Sequence, residues 1–334
     1  MSDKDDKIAE LLIEWEESWE QGVDIPAEEL CQQNSELLEV IQQKINALKE
    51  MAWVKEDAEY SDTSNVPKIL ANRYELKEQI AVGGFGQVWK GFDTELERHV
   101  AIKFPKNLDR DLSDDLLEEA RKVARLKHLG IVTVYDVGRQ DGFVFIVSDL
   151  IEGTDLAQKL KQTQFKLTEA IQLVIQAANN LQFAHEQRFV HRDVKPANIL
   201  IDQNGKVFIT DFGIAITKGD LQDLSESVGT LAYMSPEQLA GESQLIDART
   251  DVYSLGVILF ELLTGSHPFP SKTSLDLREH ILFGDPPSLR HLNSAIPIEL
   301  ERICLKCLRK HPDDRYQSAN ELAVELKSVL KAFP

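Results

Sequence analysis

The chain has 334 residues, 43% of them apolar, and a formal net charge of −19. That length accommodates one large domain plus an extension, and the apolar share is ordinary for a protein with a buried core. The acidic balance excludes nucleic acid and anionic membrane as default partners, because both reward basic surfaces. Residues 1–66 hold 18 acidic and 5 basic side chains, so most of the excess belongs to the N-terminal segment.

The first predicted elements are helices. Ile8, Leu11, Leu12, Trp15 and Trp19 recur at three- and four-residue steps with acids opposite. A second helix begins at Ile25-Pro26-Ala27-Glu28-Glu29-Leu30, with proline in the tolerated first turn. A third starts near Asn34 as N-cap and runs through Leu37, Leu38, Ile41, Ile45 and Leu48 towards Met51. Three short helices bury little surface alone. Residues 1–55 are therefore expected to form a helical extension that packs on itself, on the following domain or on a partner, its role being either to stabilise the domain or to serve self-association or docking. Glu56 to Pro67 mixes Asp, Ser, Thr, Asn and Pro without apolar periodicity and reads as linker, extended here to residues 56–72, with the main domain at 73–330.

Tyr74 to Ile80 leads into Ala81-Val82-Gly83-Gly84-Phe85-Gly86-Gln87-Val88, and Val100-Ala101-Ile102-Lys103 follows. Two strands flank a glycine turn, and glycines let backbone N–H groups approach a phosphate closely. The turn leads into another strand, unlike the strand-to-helix turn of dinucleotide folds. In the next helix Leu116, Ala120, Val123 and Leu126 form the apolar face; Glu119 adjoins it, while Glu118 reads as a solvated charge.

His191-Arg192-Asp193-Val194-Lys195-Pro196-Ala197-Asn198 is followed by two β-prone runs, Ile199-Leu200-Ile201 and Val207-Phe208-Ile209, around Asn204-Gly205, and then by Asp211-Phe212-Gly213. A two-residue hairpin turn would set Asn198 directly opposite Asp211. Cross-strand Cβ atoms lie roughly 5 Å apart, so an amide oxygen and a carboxylate could share Mg²⁺, a hard, oxygen-seeking ion. Asp193 is left as proton acceptor, an arrangement that suits phosphoryl transfer from ATP.

The segments Val100 to Lys103, His191 to Asn198 and Asp211 to Gly213 resemble, in order, the V-A-I-K, H-R-D-x-K-x-x-N and D-F-G motifs of eukaryotic-like Ser/Thr protein kinases. The resemblance covers residues 73 to about 330. It implies an α+β fold of two lobes, an antiparallel sheet with one helix above a mainly helical lobe, with ATP between them. It implies that Asp193 accepts the proton of a substrate hydroxyl and that Lys195 contacts the γ-phosphate, lysine there marking the Ser/Thr branch. Asn198 and Asp211 would bind Mg²⁺, with Mn²⁺ as a substitute, and Lys103 would hold the α- and β-phosphates while paired with Glu119. Ile80, Ala81, Val82, Gly83, Gly84, Phe85, Gly86, Gln87 and Val88 match the glycine loop over the nucleotide. Ala81 replaces the family's first glycine, which should weaken nucleotide affinity unless the position has ordinary strand angles.

Phe145 to Gly153 resembles the hinge between lobes. Backbone groups of Asp149 and Ile151 would hold adenine, Val88, Ala101 and Leu200 would sandwich it, and Asp155 would accept a ribose hydroxyl. Ser148 falls at the gatekeeper position, where a small side chain leaves space behind the adenine. Thr217 to Ser227, ending in Val228 to Glu237, resembles an activation segment closed by an A-P-E variant; Thr230 would support Asp193 and Lys195, and Ser225 and Ser227 are the best positioned autophosphorylation acceptors. Asp251-Val252-Tyr253-Ser254-Leu255-Gly256 resembles the helix whose aspartate anchors the catalytic loop, and Arg315 the arginine that pairs with Glu237. Residues 1–55 resemble extensions of bacterial multidomain kinases. Protein substrates are the implied partners.

Cys31, Cys304 and Cys307 give no disulfide framework, and no signal peptide precedes them, which suits a reducing cytoplasm. Cys304 and Cys307 lie in a helical apolar pattern with no second ligand pair, so they read as small core residues. The run Leu255 to Phe260 stops at Glu261, far short of the roughly 20 residues a membrane span needs.

Overall fold

The computed structural model describes residues 68–83, 86–105, 120–140, 143–212, 231–271 and 273–332, with Trp15, Pro26, Leu30, Cys31, Leu37, Leu38, Ile41 and Gln42 of the N-terminal segment. The chain divides into two compact units, Met1–Pro67 and Lys68–Pro334. In the first unit Trp15, Leu30 and Ile41 have helical backbone, and they are buried together with Cys31 and Leu37. Those are apolar positions of the predicted stripes; Ile8, Leu11, Leu12, Trp19, Ile45, Leu48 and Met51 lie outside the described residues.

The second unit opens with an antiparallel sheet. Its strands are β1 (Ile69–Leu70), β2 (Tyr74–Gly83), β3 (Gly86–Asp93), β4 (Arg98–Pro105), β5 (Val134–Gln140) and β6 (Phe143–Asp149), in the order β1-β2-β3-β4-β6-β5. Alternation along β4 shows why it forms: Val100, Ile102 and Phe104 are buried, whereas Ala101 and Lys103 face the less covered side. Residues 68–72, assigned to the linker from sequence, instead begin this sheet. Leu70 is fully buried and Gln140 clasps β1, accepting from Ala71 N–H at 2.6 Å and donating to the Ile69 carbonyl at 3.3 Å. A two-residue strand is too short to carry a periodic signal.

A second sheet, β7 (Gly153–Asp155), β8 (Ile199–Asp202) and β9 (Val207–Ile209), lies among helices. These are α1 (Leu156–Gln162), α2 (Leu167–Glu186), α3 (Pro236–Ala240), α4 (Ala248–Thr264), α5 (Ser274–Phe283), α6 (Leu289–Leu292), α7 (Ile298–Cys307) and α8 (Ala319–Ala332). Helix α4 is buried on nearly every side from Thr250 to Leu263, which marks it as the centre of the helical layer, and it packs against α2, α7 and α8. Small residues permit its approach to α7: a Cβ on Gly256 would sit 2.4 Å from Cys307 Cβ. Cys304 donates its thiol hydrogen to the Gly256 carbonyl at 3.5 Å. Burial pushes the Cys307 thiol up to about 12 and Cys304 well above its ordinary value, so both behave as core residues. The antiparallel-sheet layer and the helical layer together give the mixed α+β fold expected.

The hairpin register differs from expectation by one residue. Ile199 pairs with Ile209 and Ile201 with Val207, which sets Thr210, not Asp211, opposite Asn198; Thr210 N–H donates to the Asn198 carbonyl at 3.1 Å. The cause is the Asp202 carboxylate, which accepts from both Asn204 and Lys206 N–H at 2.8 Å. These bonds hold a three-residue loop, Gln203-Asn204-Gly205, in which Gly205 takes the left-handed φ of +78° that such loops require. Among the described residues no helix is long and apolar enough to cross a membrane.

Candidate active site

The segment from His191 to Asn198 is irregular, and its conformation is imposed by buried side chains around it. Arg192 has a left-handed φ of +65°, which a non-glycine residue adopts only when its surroundings hold it there. Asp251, fully buried near the start of α4, accepts from His191 N–H and Arg192 N–H at 2.9 Å and bonds His185 Nε2 at 2.7 Å. Burial alone would raise the Asp251 carboxyl, but the bond from His185 and the nearby His191 outweigh it and hold the group below the usual carboxylate range. The His191 ring is fixed too. Its Nδ1 accepts from Asp193 N–H at 3.2 Å, so Nε2 donates to the Thr210 carbonyl at 2.8 Å, and the ring lies 4.6 Å from buried Phe212.

Within this frame Asp193 Oδ2 lies 2.8 Å from Lys195 Nζ and accepts from Asn198 Nδ2 at 2.9 Å. Asn198 Nδ2 also donates to the Asp193 carbonyl at 2.8 Å. The amide's donor end is thereby committed to Asp193, leaving its oxygen as the end suited to a cation. Asp211, at a left-handed φ of +62°, turns its carboxylate to Lys103, with Oδ1 2.9 Å from Nζ. Burial raises the Asp211 carboxyl and Lys103 lowers it; the lysine prevails, so the group stays ionised at neutral pH. The kinase pattern pairs Lys103 with Glu119; Asp211 is the partner found, and Glu119 lies outside the described residues.

Strand pairing fixes the neighbours of the other residues expected around the nucleotide. Val88 faces Lys103 across β3 and β4, Ala101 faces Ser148 across β4 and β6, and Leu200 faces Asp155 across β7 and β8. Residues facing each other in antiparallel strands share a side of the sheet, so Ala101 and Ser148 line one surface. Asp155 is the N-cap of α1, accepting from Gln158 N–H at 2.8 Å. Asp149 donates its N–H to the Thr133 carbonyl at 2.9 Å. At the glycine turn Gly83 pairs with Gly86, which must be glycine: its φ is +123° and a Cβ there would lie 1.9 Å from Phe104 O. Gln87 Oε1 accepts from Gln79 and Trp89 side chains at 3.0 and 3.1 Å. Ile80 and Val82 are exposed; Gly84, Phe85, Gly213, Thr230, Ser225 and Ser227 lie outside the described residues.

Ala81 corrects an expectation. It sits in β2 opposite Val88 and is not among the residues with positive φ, so the backbone takes ordinary strand angles there and the conformational reason for weaker nucleotide binding does not apply.

A family model for the protein kinase domain matches residues 74–326. The chain belongs to the protein kinase family. Among similar curated proteins, a probable serine/threonine-protein kinase of Clostridium acetobutylicum is 37% identical over 268 residues, 78% of this chain and 40% of that protein. PrkC of Bacillus subtilis is 33% identical, covering 80% of this chain and 42% of its own length. PknB of Mycobacterium tuberculosis is 38% identical, with 80% and 44% covered. This kinase chain thus spans about two-fifths of the length of the curated relatives it matches. The crystallised kinase domain of Mycobacterium tuberculosis PknI, a double mutant, superposes with a TM-score of 0.66 at 24% identity, over 79% of this chain and 98% of that one.

A buried ion pair completes the frame of the kinase site. Arg315, fully buried, grips Glu237 on α3 with two prongs at 2.7 and 2.8 Å. Thr250 also donates to Glu237, at 2.8 Å. This joins the end of the predicted activation segment to the loop before α8.

Proposed function

We propose that this kinase transfers the γ-phosphoryl group of ATP to Ser or Thr hydroxyls of proteins. The observation that carries the reading is two contact sets at the ends of the β8–β9 hairpin: the Lys103–Asp211 ion pair at 2.9 Å, and Asp193 held by Lys195 at 2.8 Å and by the Asn198 amide at 2.9 Å. Asn198 and Asp211 supply the hard oxygen donors that suit Mg²⁺ or Mn²⁺, and the bound ion neutralises phosphate charge. Asp193 orients the acceptor hydroxyl and takes its proton. Lys195, beside it, meets the γ-phosphate, and Lys103 meets the phosphates nearer the ribose. The Asp149 carbonyl and Ile151 backbone hold adenine between Val88, Ala101 and Leu200, with Asp155 near the ribose and the turn from Ile80 to Val88 above the phosphates.

A pseudokinase scaffold is the rival reading, and intact Lys103, Asp193, Asn198 and Asp211 argue against it. Incubation with labelled ATP and a generic protein substrate, wild type against Asp193→Asn, tests the proposal; a wild-type chain that labels neither itself nor the substrate overturns it. Phosphosite mapping of the same reaction tests Ser225 and Ser227.

Ser148 shares a sheet surface with Ala101 and is a small residue there. An ATP-competitive inhibitor carrying a bulky group aimed behind the adenine is expected to bind wild type well. Ser148→Phe is expected to raise its inhibition constant by about tenfold or more while leaving the KM for ATP little changed. Equal inhibition of both proteins would remove the assigned cleft geometry.

For residues 1–55 we propose self-association or docking, motivated by the amphipathic helical spacing of an acidic segment that forms its own compact unit. Deletion of residues 1–66 is expected to reduce the number of chains per particle seen by light scattering, and an unchanged number removes the self-association reading. Three buried thiols outside any disulfide suit a reducing cytoplasm.

A further inference from the structure

We infer that Gln238, on α3, is a positioning residue that ties this helix to the backbone of Arg192 and Asp193. The inference rests on the phosphotransfer reading above. Gln238 is nearly buried, and its amide is used at both ends. Its Oε1 accepts from Ser235 N–H at 3.1 Å and Ser235 Oγ–H at 3.2 Å, while its Nε2 donates to the Arg192 carbonyl at 2.7 Å. That carbonyl belongs to the peptide entering Asp193.

The Arg192 residue is consequently held from two sides. Asp251 on α4 fixes its N–H and Gln238 on α3 fixes its C=O, and between them the backbone keeps its left-handed turn. A backbone in this region relaxes once its restraints are removed. Rotation of the peptide between Arg192 and Asp193 would carry the Asp193 carboxylate away from Asn198 and Lys195. Gln238 follows Glu237 directly, so the Glu237–Arg315 ion pair sets the position of α3 and Gln238 passes that position to Asp193.

The plainer alternative is that Gln238 only caps α3, since serine followed three residues later by Gln or Glu is the capping-box pattern. Gln238→Glu separates the two roles. A carboxylate accepts from Ser235 as well as the amide does, and Glu serves the capping box equally, but an ionised carboxylate donates nothing to the Arg192 carbonyl. Ser235→Ala is the converse change, removing the hydroxyl's bonds on the capping side and leaving the bond to Arg192.

Single-turnover phosphoryl transfer by the full chain is the test, with wild type active and Asp193→Asn inactive as the controls for the reading beneath it. Gln238→Glu is expected to slow transfer by about 10- to 100-fold, with Mg–ATP affinity within about twofold and the melting temperature lowered, because the new carboxylate is buried against a carbonyl oxygen. Hydrogen exchange, read by mass spectrometry on the peptide containing Arg192 and Asp193, is expected to quicken in that variant even without nucleotide. Ser235→Ala is expected to transfer at close to the wild-type rate. Wild-type rates and exchange in Gln238→Glu, or equal losses in both variants, overturn the inference. An inactive wild type overturns the phosphotransfer reading instead, and the exchange measurement still decides whether Gln238 restrains Arg192.

Discussion

Arg315→Ala is expected to lower the free energy of unfolding by about 3–5 kcal/mol, because removing one partner of a buried ion pair leaves the other charge uncompensated. Glu237 is closed to water, with its side chain 1% exposed. The guanidinium uses all of its donor capacity: Nε and both terminal nitrogens bond Glu237 and the carbonyls of Arg249, Arg309 and Lys310. Lysine offers fewer donors in no fixed fork, so Arg315→Lys should recover only part of the loss.

The pH dependence carries a definite sign. Burial raises the Glu237 carboxyl, but the bonds from Arg315 outweigh it and hold the group below the ordinary carboxylate range. A carboxyl with a depressed folded pKa stabilises the fold above its unfolded value of about 4.3 and loses that contribution as pH falls through the folded pKa. Wild type is therefore expected to lose this stabilisation in acid, while Arg315→Ala has none of it to lose. Denaturant unfolding at neutral and acidic pH measures both effects. A neutral-pH loss under about 1 kcal/mol, the range of a surface pair, would mean that the pair contributes little.

Asp193→Asn is expected to reduce phosphoryl transfer by about 10²- to 10⁴-fold, the range for loss of a general base. The substitution keeps size and leaves both backbone bonds of the residue in place, from its N–H to His191 Nδ1 and from Asn198 to its carbonyl. It removes the carboxylate beside Lys195. Nucleotide affinity should change by no more than a few-fold, because Lys103, Asn198 and Asp211 are untouched. Separate measurement of Mg–ATP binding and of single-turnover transfer resolves the two. A variant retaining more than about a tenth of wild-type transfer would remove Asp193 from the proton-accepting role.

Much of the fold and of the site is legible in the amino-acid order itself. The β4 alternation can be read because one face of the strand is buried and the other is not, and the C-x-x-C pair can be read as core because its spacing continues a helical stripe. Asp251 and Arg315 stand out through the kinase pattern, and each makes the contact that pattern implies. What the sequence does not carry is set by contacts between distant residues or by side chains acting on backbone. The hairpin slips by one residue because Asp202 captures two N–H groups of its own loop. Strand β1 is hidden because it depends on Gln140, some 70 positions later. Gln238 sits in a readable capping pattern, yet its bond to Arg192, 46 residues away, has no local signal. The pairing of Lys103 with Asp211 likewise depends on how β9 ends, not on either residue's neighbours.

The Glu237–Arg315 link spans 78 positions of chain. During synthesis the helical layer emerges from the ribosome with that acid already made and its counter-ion still absent. An unfinished polypeptide must keep Glu237 wetted or protonated, so closing the helical layer around it is costly until the segment around Arg315 has been extruded.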